Sequence, residues 1–251
     1  MEKEFSVQPL SKALGATIKG LDLSKINPEQ IRLVSEAFLK HQVLFFKNQS
    51  LDPKKLFELA SKFGKPIEYP FITNKTEIPE VMEVIKRPSD KENFGGLWHS
   101  DTSYLKAPSM GALLYAVETP KVGGDTVFSN MYKVFDSLSE EMQTFLSRLS
   151  ALNISDKANE LDIRPKSNSK SFKASHPVIR THPETKKKLI YVNEAHTVNF
   201  VGMTQAESEP ILDFLFKKIK EEQFSCRFNW EPGCVAFWDN RACQHFPIND
   251  Y

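Results

Sequence analysis

The sequence predicts a mainly β chain with flanking helices, folded as an antiparallel sandwich or barrel in a single domain over residues 1–251. Three observations carry this expectation. Short apolar runs bounded by Gly, Pro, Asn or Asp recur along the chain, above all in its second half. A few amphipathic stretches with helix-start signals lie among them, mostly in the first half, which places helices on one flank. No Pro/Gly/Ser-rich linker divides the chain.

The elements follow in order. In NPEQIRLVSEAFLKHQ, Asn27 is placed to cap a helix and Pro28 to occupy its first position, with Ile31, Val34, Ala37 and Phe38 on one face. VLFFK, from Val43 to Lys47, reads as a short buried strand. Asp52 caps a second helix that Gly64 stops. VMEVIK and MGALLYAVE read as strands, and SEEMQTFLSRL as a short helix. Residues 157–175 are polar and aperiodic, a long surface loop whose functional reading is a lid. HPVIRTHPETKKKLIYVN reads as a hairpin turning at His182 to Thr185. Thr204 and Glu207 make a capping box for a helix running toward Lys220. SCRFNW and CVAFWD, joined by EPG, read as another hairpin.

Composition excludes several partners. Lys and Arg total 33 against 32 Asp and Glu, so there is no basic excess for nucleic acid. No apolar run approaches the ~18 residues of a membrane helix. The opening MEKEFSVQPL lacks the apolar core of a signal peptide. Cys226, Cys234 and Cys243 are odd in number and lack metal-type spacing, which fits a reducing, cytoplasmic home.

The stretch GGLWHSDTSY carries the chemistry. On a strand, His99 and Asp101 share a face while Ser100 turns away, the arrangement a metal needs from His-x-Asp. Among the other histidines, His41 follows a helix and reads as structural, and His176 and His182 precede prolines at a hairpin and read as turn residues. His196 and His245 remain. His245 follows an apolar strand and a tight Asp-Asn turn, a rigid mount for a ligand. Two histidines and a carboxylate form a facial triad with open positions, suited to a non-haem Fe(II) oxygenase, and a hydrolytic zinc site uses the same ligand types.

Seven stretches, LGATIKGLDLS, HQVLFFKNQ, WHSDTSY, PKVGGDTVFSN, HPVIRTHP, YVNEAHT and FWDNRACQHFPINDY, occur in order along nearly the whole chain. In them the sequence resembles the TauD/TfdA family of Fe(II)- and 2-oxoglutarate-dependent dioxygenases. The resemblance implies a double-stranded β-helix (jelly-roll), clavaminate synthase-like, and the use of Fe(II), 2-oxoglutarate and O2. It implies hydroxylation of a small organic acid, of the sulfonate, alkyl sulfate or aryloxyalkanoate class, with release of succinate and CO2. It places His99, Asp101 and His245 as iron ligands and the Thr126 hydroxyl on the 2-oxoglutarate carboxylate. The carboxylate at Asp101 leaves no room for a halide and so implies hydroxylation. A homo-oligomer, dimer or tetramer, is expected from the family. From the residues themselves, Gly123 and Gly124 allow a tight turn that presents Thr126, and the alternative is a plain Gly-Gly hairpin.

The pattern departs in two places. Taurine-specific members carry an asparagine where this chain has Gly95, and their substrate-contacting histidine and tyrosine fall near Tyr69 and Ile72. Their pocket phenylalanine falls at His196, so Tyr69, Gly95, Thr102 and His196 are the candidate pocket residues for a substrate other than taurine. The family also continues past the equivalent of Tyr251 into a strand bearing two arginines, one for 2-oxoglutarate. The expectation is that the native chain extends to supply it; Arg180 and Arg241 are the competing anchors, and Arg241 reads as structural. The missing arginines motivate a second reading, a non-catalytic jelly-roll that binds a small anionic ligand and retains its metal site.

Overall fold

The structure, a computed structural model, describes residues 5–71, 77–87, 89–91, 93–160 and 171–251. Its strands, in chain order, are β1 (Ser6–Pro9), β2 (Ala16–Lys19), β3 (Val43–Phe46), β4 (Gly111–Tyr115), β5 (Thr126–Asn130), β6 (Ser150–Ile154), β7 (Lys173–Pro177), β8 (Ile179–Thr181), β9 (Lys188–Ile190), β10 (Thr197–Phe200), β11 (Ser225–Phe228), β12 (Val235–Asp239) and β13 (Cys243–Pro247). The helices are α1 (Pro28–His41), α2 (Pro53–Phe63), α3 (Met131–Asp136), α4 (Glu140–Leu146), α5 (Asp156–Glu160) and α6 (Gln205–Ile219).

A continuous apolar run marks a strand covered on both faces. In β3, Leu44 and Phe46 face one way and Val43 and Phe45 the other, and all four are buried. β12 repeats the pattern, with Val235 and Phe237 opposed to Ala236 and Trp238. Both strands lie inside a five-stranded sheet ordered β1-β2-β3-β12-β4. Its outer face is covered by α1 and α2, where Phe38 stacks on Phe237 at 4.1 Å. Its inner face packs on a second sheet, β11-β5-β13, through Phe128, Cys226, Phe228 and Cys243. Phe45 stacks on Phe228 at 3.9 Å across that core. Two facing sheets, antiparallel apart from the β2–β3 pair, make the jelly-roll sandwich, not a barrel.

The caps are where the sequence places them. Asn27 accepts from Gln30 N and Gln30 answers on the Asn27 amide, while Asp52 and Thr204 accept from the third residue beyond each; Ser139 caps α4 in the same way, a cap that was not singled out from the sequence.

Several expectations are corrected. SCRFNW and CVAFWD are not a hairpin: β11 pairs with β5, and β12 with β3 and β4, so EPG carries the chain between sheets. VMEVIK forms no strand, and Val84 and Ile85 stand exposed with no core face to fill. The helices do not share one flank: α3 and α6 pack in a separate core with Leu146, Ile190 and Phe200, because the apolar face of α6 (Leu212, Leu215, Ile219) needs its own cover. The segment 157–175 begins inside α5 and ends inside β7; residues 161–170 of the proposed lid, and Ile72, lie outside the described residues.

Candidate metal centre

His99 and His245 are brought together by backbone pairing. His99 N donates to His245 O at 3.1 Å and His245 N to His99 O at 2.9 Å. Residues exchanging both bonds stand directly opposite with side chains on one face, and the two rings lie 4.1 Å apart. β13 is the edge of its sheet and the 93–99 segment adds this single bridge to it. Asp101 is not on a strand, as the alternation argument assumed; the chain turns immediately after His99, and Thr102 takes a φ of +56°. The turn bends the carboxylate back, so that Asp101 Oδ1 lies 3.4 Å from His99 Nε2 and 3.8 Å from His245 Nε2. Thr102 is held there by Ser109, whose amide donates to Thr102 Oγ1 at 2.9 Å.

Each of the three side chains is oriented from behind. The other nitrogen of His99, Nδ1, sits 2.7 Å from Leu97 O, so it carries the proton and leaves the Nε2 lone pair facing inward. The Trp238 indole donates to Asp101 Oδ2 at 3.2 Å, and the Asp101 amide donates to Asn240 Oδ1 at 3.2 Å. His245 is set by packing, with its ring 4.8 Å from Trp238 and 5.9 Å from Phe128. Burial works against a charge on Asp101, but the imidazoles of His245 and His99 and the Asn240 contact outweigh it and hold the carboxyl well below the usual range. Burial, then the nearby His99, push the His245 ring down to about 3, so it is a neutral donor at ordinary pH.

The donor set fits a metal ion. One ligand atom from each of His99, Asp101 and His245 lies within 4.8 Å of the others. These ligand types suit Fe(II) as well as zinc, and geometry alone does not choose. Trp238→Phe removes the indole donor to Asp101 and Asn240 together with part of the ring that packs on His245. It is expected to weaken binding of Mn(II) or Co(II) by about 10–100-fold in a direct titration, with the fold intact; unchanged affinity would show that the indole does not orient the carboxylate.

A cavity opens beside the three residues. Its wall includes Tyr69, Gly95, Thr102 and His196, all singled out from the sequence, together with His99 and Asp101. It also includes Phe94, Tyr104, Ala158 and Ala195, which sequence reasoning did not find. Thr126 stands apart from that wall on β5, on the same face as Phe128, and its hydroxyl accepts from the Trp230 indole at 2.9 Å. Trp230 had no signal in the sequence beyond being aromatic.

Arg241 is fully engaged elsewhere. Its Nε and Nη2 each meet Asp239 at 2.8 Å, and Nη1 meets Glu184 at 2.6 Å. His182, buried, donates through Nε2 to Asp239 at 3.1 Å while its Nδ1 accepts from the Glu184 and Thr185 amides. His182 thus stabilises the β8–β9 turn and ties it to the turn that precedes His245. His176 lies in β7, not in the turn, with Nε2 within 3.0 Å of Ser103 O and Leu105 O. Arg180 lies 4.3 Å over the Tyr191 ring.

Comparison with known proteins shows the family. The sequence model described as "Taurine catabolism dioxygenase TauD, TfdA family" matches residues 6–247. An alkylsulfatase of Acinetobacter baylyi is 28% identical, the alignment covering 99% of this chain and 81% of that protein. An alpha-ketoglutarate-dependent sulfonate dioxygenase of Saccharomyces cerevisiae is 30% identical over 99% of this chain, which spans 64% of the yeast protein's length. The crystal structure of a putative alpha-ketoglutarate-dependent taurine dioxygenase from Burkholderia xenovorans superposes with a TM-score of 0.84 at 30% identity, covering 97% of this chain and 85% of that one.

Proposed function

The chain belongs to the TauD, TfdA family of dioxygenases, and from that premise we propose that His99, Asp101 and His245 hold its iron. The protein is a non-haem dioxygenase dependent on Fe(II) and 2-oxoglutarate, with O2 as the oxidant. The single observation that carries the site assignment is the convergence of two imidazole nitrogens and one carboxylate oxygen within 4.8 Å of one another. When bound, the iron with 2-oxoglutarate and O2 supplies the oxidant that hydroxylates a substrate C–H bond, with release of succinate and CO2.

The chain's own groups position the parts. Neutral His245 and Nδ1-protonated His99 present lone pairs, and Asp101 presents one oxygen while Trp238 occupies the other. Thr126, whose oxygen already accepts from Trp230, keeps its proton free to donate to a carboxylate of 2-oxoglutarate. The substrate is a small organic acid of the sulfonate, alkyl sulfate or aryloxyalkanoate class, lodged against Tyr69, Gly95, Thr102 and His196. The names of the relatives support the first two groups, and the aromatic wall of Tyr69, Phe94 and Tyr104 suits the third. The non-catalytic reading gains no support, because the relatives are enzymes by name.

We further propose a single dioxygenase domain over 1–251 and a cytoplasmic homo-oligomer. No helix of the described residues is long and apolar enough to cross a membrane, and the three cysteines are buried and unpaired. The test is succinate release from 2-oxoglutarate, with Fe(II) and O2, across a panel of sulfonates, alkyl sulfates and aryloxy acids. At least one member is expected to raise succinate well above the rate without substrate. Tight binding of an acid with no succinate from any of them would refute the assignment.

A further inference from the structure

Thr126 opens β5, and its hydroxyl oxygen accepts from the Trp230 indole at 2.9 Å. An indole N–H can only donate, so it takes a lone pair of the hydroxyl and turns the Thr126 proton away from itself. A carboxylate can only accept. The hydroxyl is therefore preset to donate to an anion, and not to accept from another donor.

Trp230 lies just past the end of β11, and its place is fixed from two sides. Its ring packs edge-on against Phe228 at 5.1 Å, and Phe228 stands opposite Thr126 in the β11–β5 register. The buried Asp125 carboxylate holds the backbone that delivers the indole. Its Oδ1 accepts from Asn229 Nδ2 at 2.7 Å, and its Oδ2 accepts from Arg227 Nε. These two donors flank Phe228 in the chain, and bonds to a charged acceptor are stronger than neutral ones. On the other side, Asp125 O accepts from Ile248 N at 2.8 Å, just beyond β13. Asp125 thus staples the end of β11, and with it Trp230, to the residue before Thr126.

We propose that Trp230 and Asp125 are positioning residues for 2-oxoglutarate, acting through the Thr126 hydroxyl. Trp230 sets the direction of the proton, and Asp125 keeps the indole within reach of the oxygen. The proposal rests on the reading of Thr126 as a ligand of the 2-oxoglutarate carboxylate.

The test is a double-mutant cycle read by binding. 2-Oxoglutarate is titrated into the Co(II)-loaded protein and followed by the visible spectrum, with Co(II) affinity measured beside it. Thr126→Val is expected to bind 2-oxoglutarate about tenfold or more weakly, and Trp230→Phe about two- to tenfold more weakly. In the double variant the Trp230 change should add nothing, because the group through which it acts is gone. Asp125→Ala should weaken binding about two- to fivefold, again only where the Thr126 hydroxyl is present. Co(II) affinity should stay at the wild-type value throughout. Wild-type 2-oxoglutarate affinity in Trp230→Phe overturns the proposal, and so does an equal loss with and without the Thr126 hydroxyl. Should Trp230→Phe not fold, the cycle is run with Asp125→Ala, and an equal loss in both backgrounds overturns it there. A parallel loss of Co(II) affinity would place the damage in the metal centre and overturn it as well. Wild-type affinity in Thr126→Val would instead remove the underlying reading of Thr126.

Discussion

Replacing His99 by alanine is expected to abolish both the visible charge-transfer band of the anaerobic Fe(II)–2-oxoglutarate protein and succinate formation. The loss should exceed the ~10–100-fold that follows from removing a group behind a metal ligand. The reason is geometric. His99 sits on a single bridge to His245 and supplies the nitrogen that lies 3.4 Å from Asp101 Oδ1. Without it, an imidazole and a carboxylate remain, and neither can close a face around the ion alone. The metal-free variant is expected to stay folded, because His99 contributes its backbone to the bridge and alanine keeps that backbone. An unchanged band in His99→Ala would remove His99 from the site. A lost band together with a collapsed Tm would show that the residue holds the fold instead.

Asp239→Asn should produce the largest loss of stability. The carboxylate is almost completely buried between His182 and the Arg241 guanidinium. Taking away one partner of such a buried, bonded pair costs about 3–5 kcal/mol. At ~2–4 °C per kcal/mol for a chain of this size, that is a fall of about 6–20 °C in Tm. Burial alone would raise the Asp239 pKa, but the His182 hydrogen bond and then Arg241 reverse this and hold it below the ordinary carboxylate value. A depressed folded pKa contributes stability that is present above the unfolded value, ~3.9. It is lost as pH falls through the folded pKa. The gap in Tm between wild type and Asp239→Asn should therefore be constant from pH 5 to 8, in terms of this ~3.9 reference, and narrow only in stronger acid. A gap that closes above pH 5 would show that the Asp239 carboxylate is not the group that supplies this stability.

The same cluster bears on the choice of anchor for the far end of 2-oxoglutarate. All three guanidinium nitrogens of Arg241 face carboxylates within the turn. Freeing this side chain to bind a dianion would break its buried contact with Asp239. Arg241 is thus part of the mount for His245, in line with its structural reading from the sequence.

What the sequence determined by itself was local. The helix starts at Asn27, Asp52 and Thr204 are written in cap residues whose partners lie three positions away. The burial of β3 and β12 on both faces is written in uninterrupted apolar runs. The grouping of His99, Asp101 and His245 was legible as a set of motifs, and with it the family. The tertiary structure alone decided what depends on distant partners. SCRFNW and CVAFWD have the sequence of a hairpin, but each strand finds a better-covered neighbour in a different sheet, which no local signal records. VMEVIK has strand propensity and no sheet edge to satisfy it. Asp101 reaches the two imidazoles through a turn at Thr102 that Ser109 and Asn240 stabilise, not through strand alternation. Phe94, Tyr104, Ala158 and Ala195 reach the cavity wall because segments far apart in the chain end at one mouth of the sandwich. Backbone pairing between His99 and His245 is what brings their rings to 4.1 Å, and such pairing is set by the packing of whole sheets.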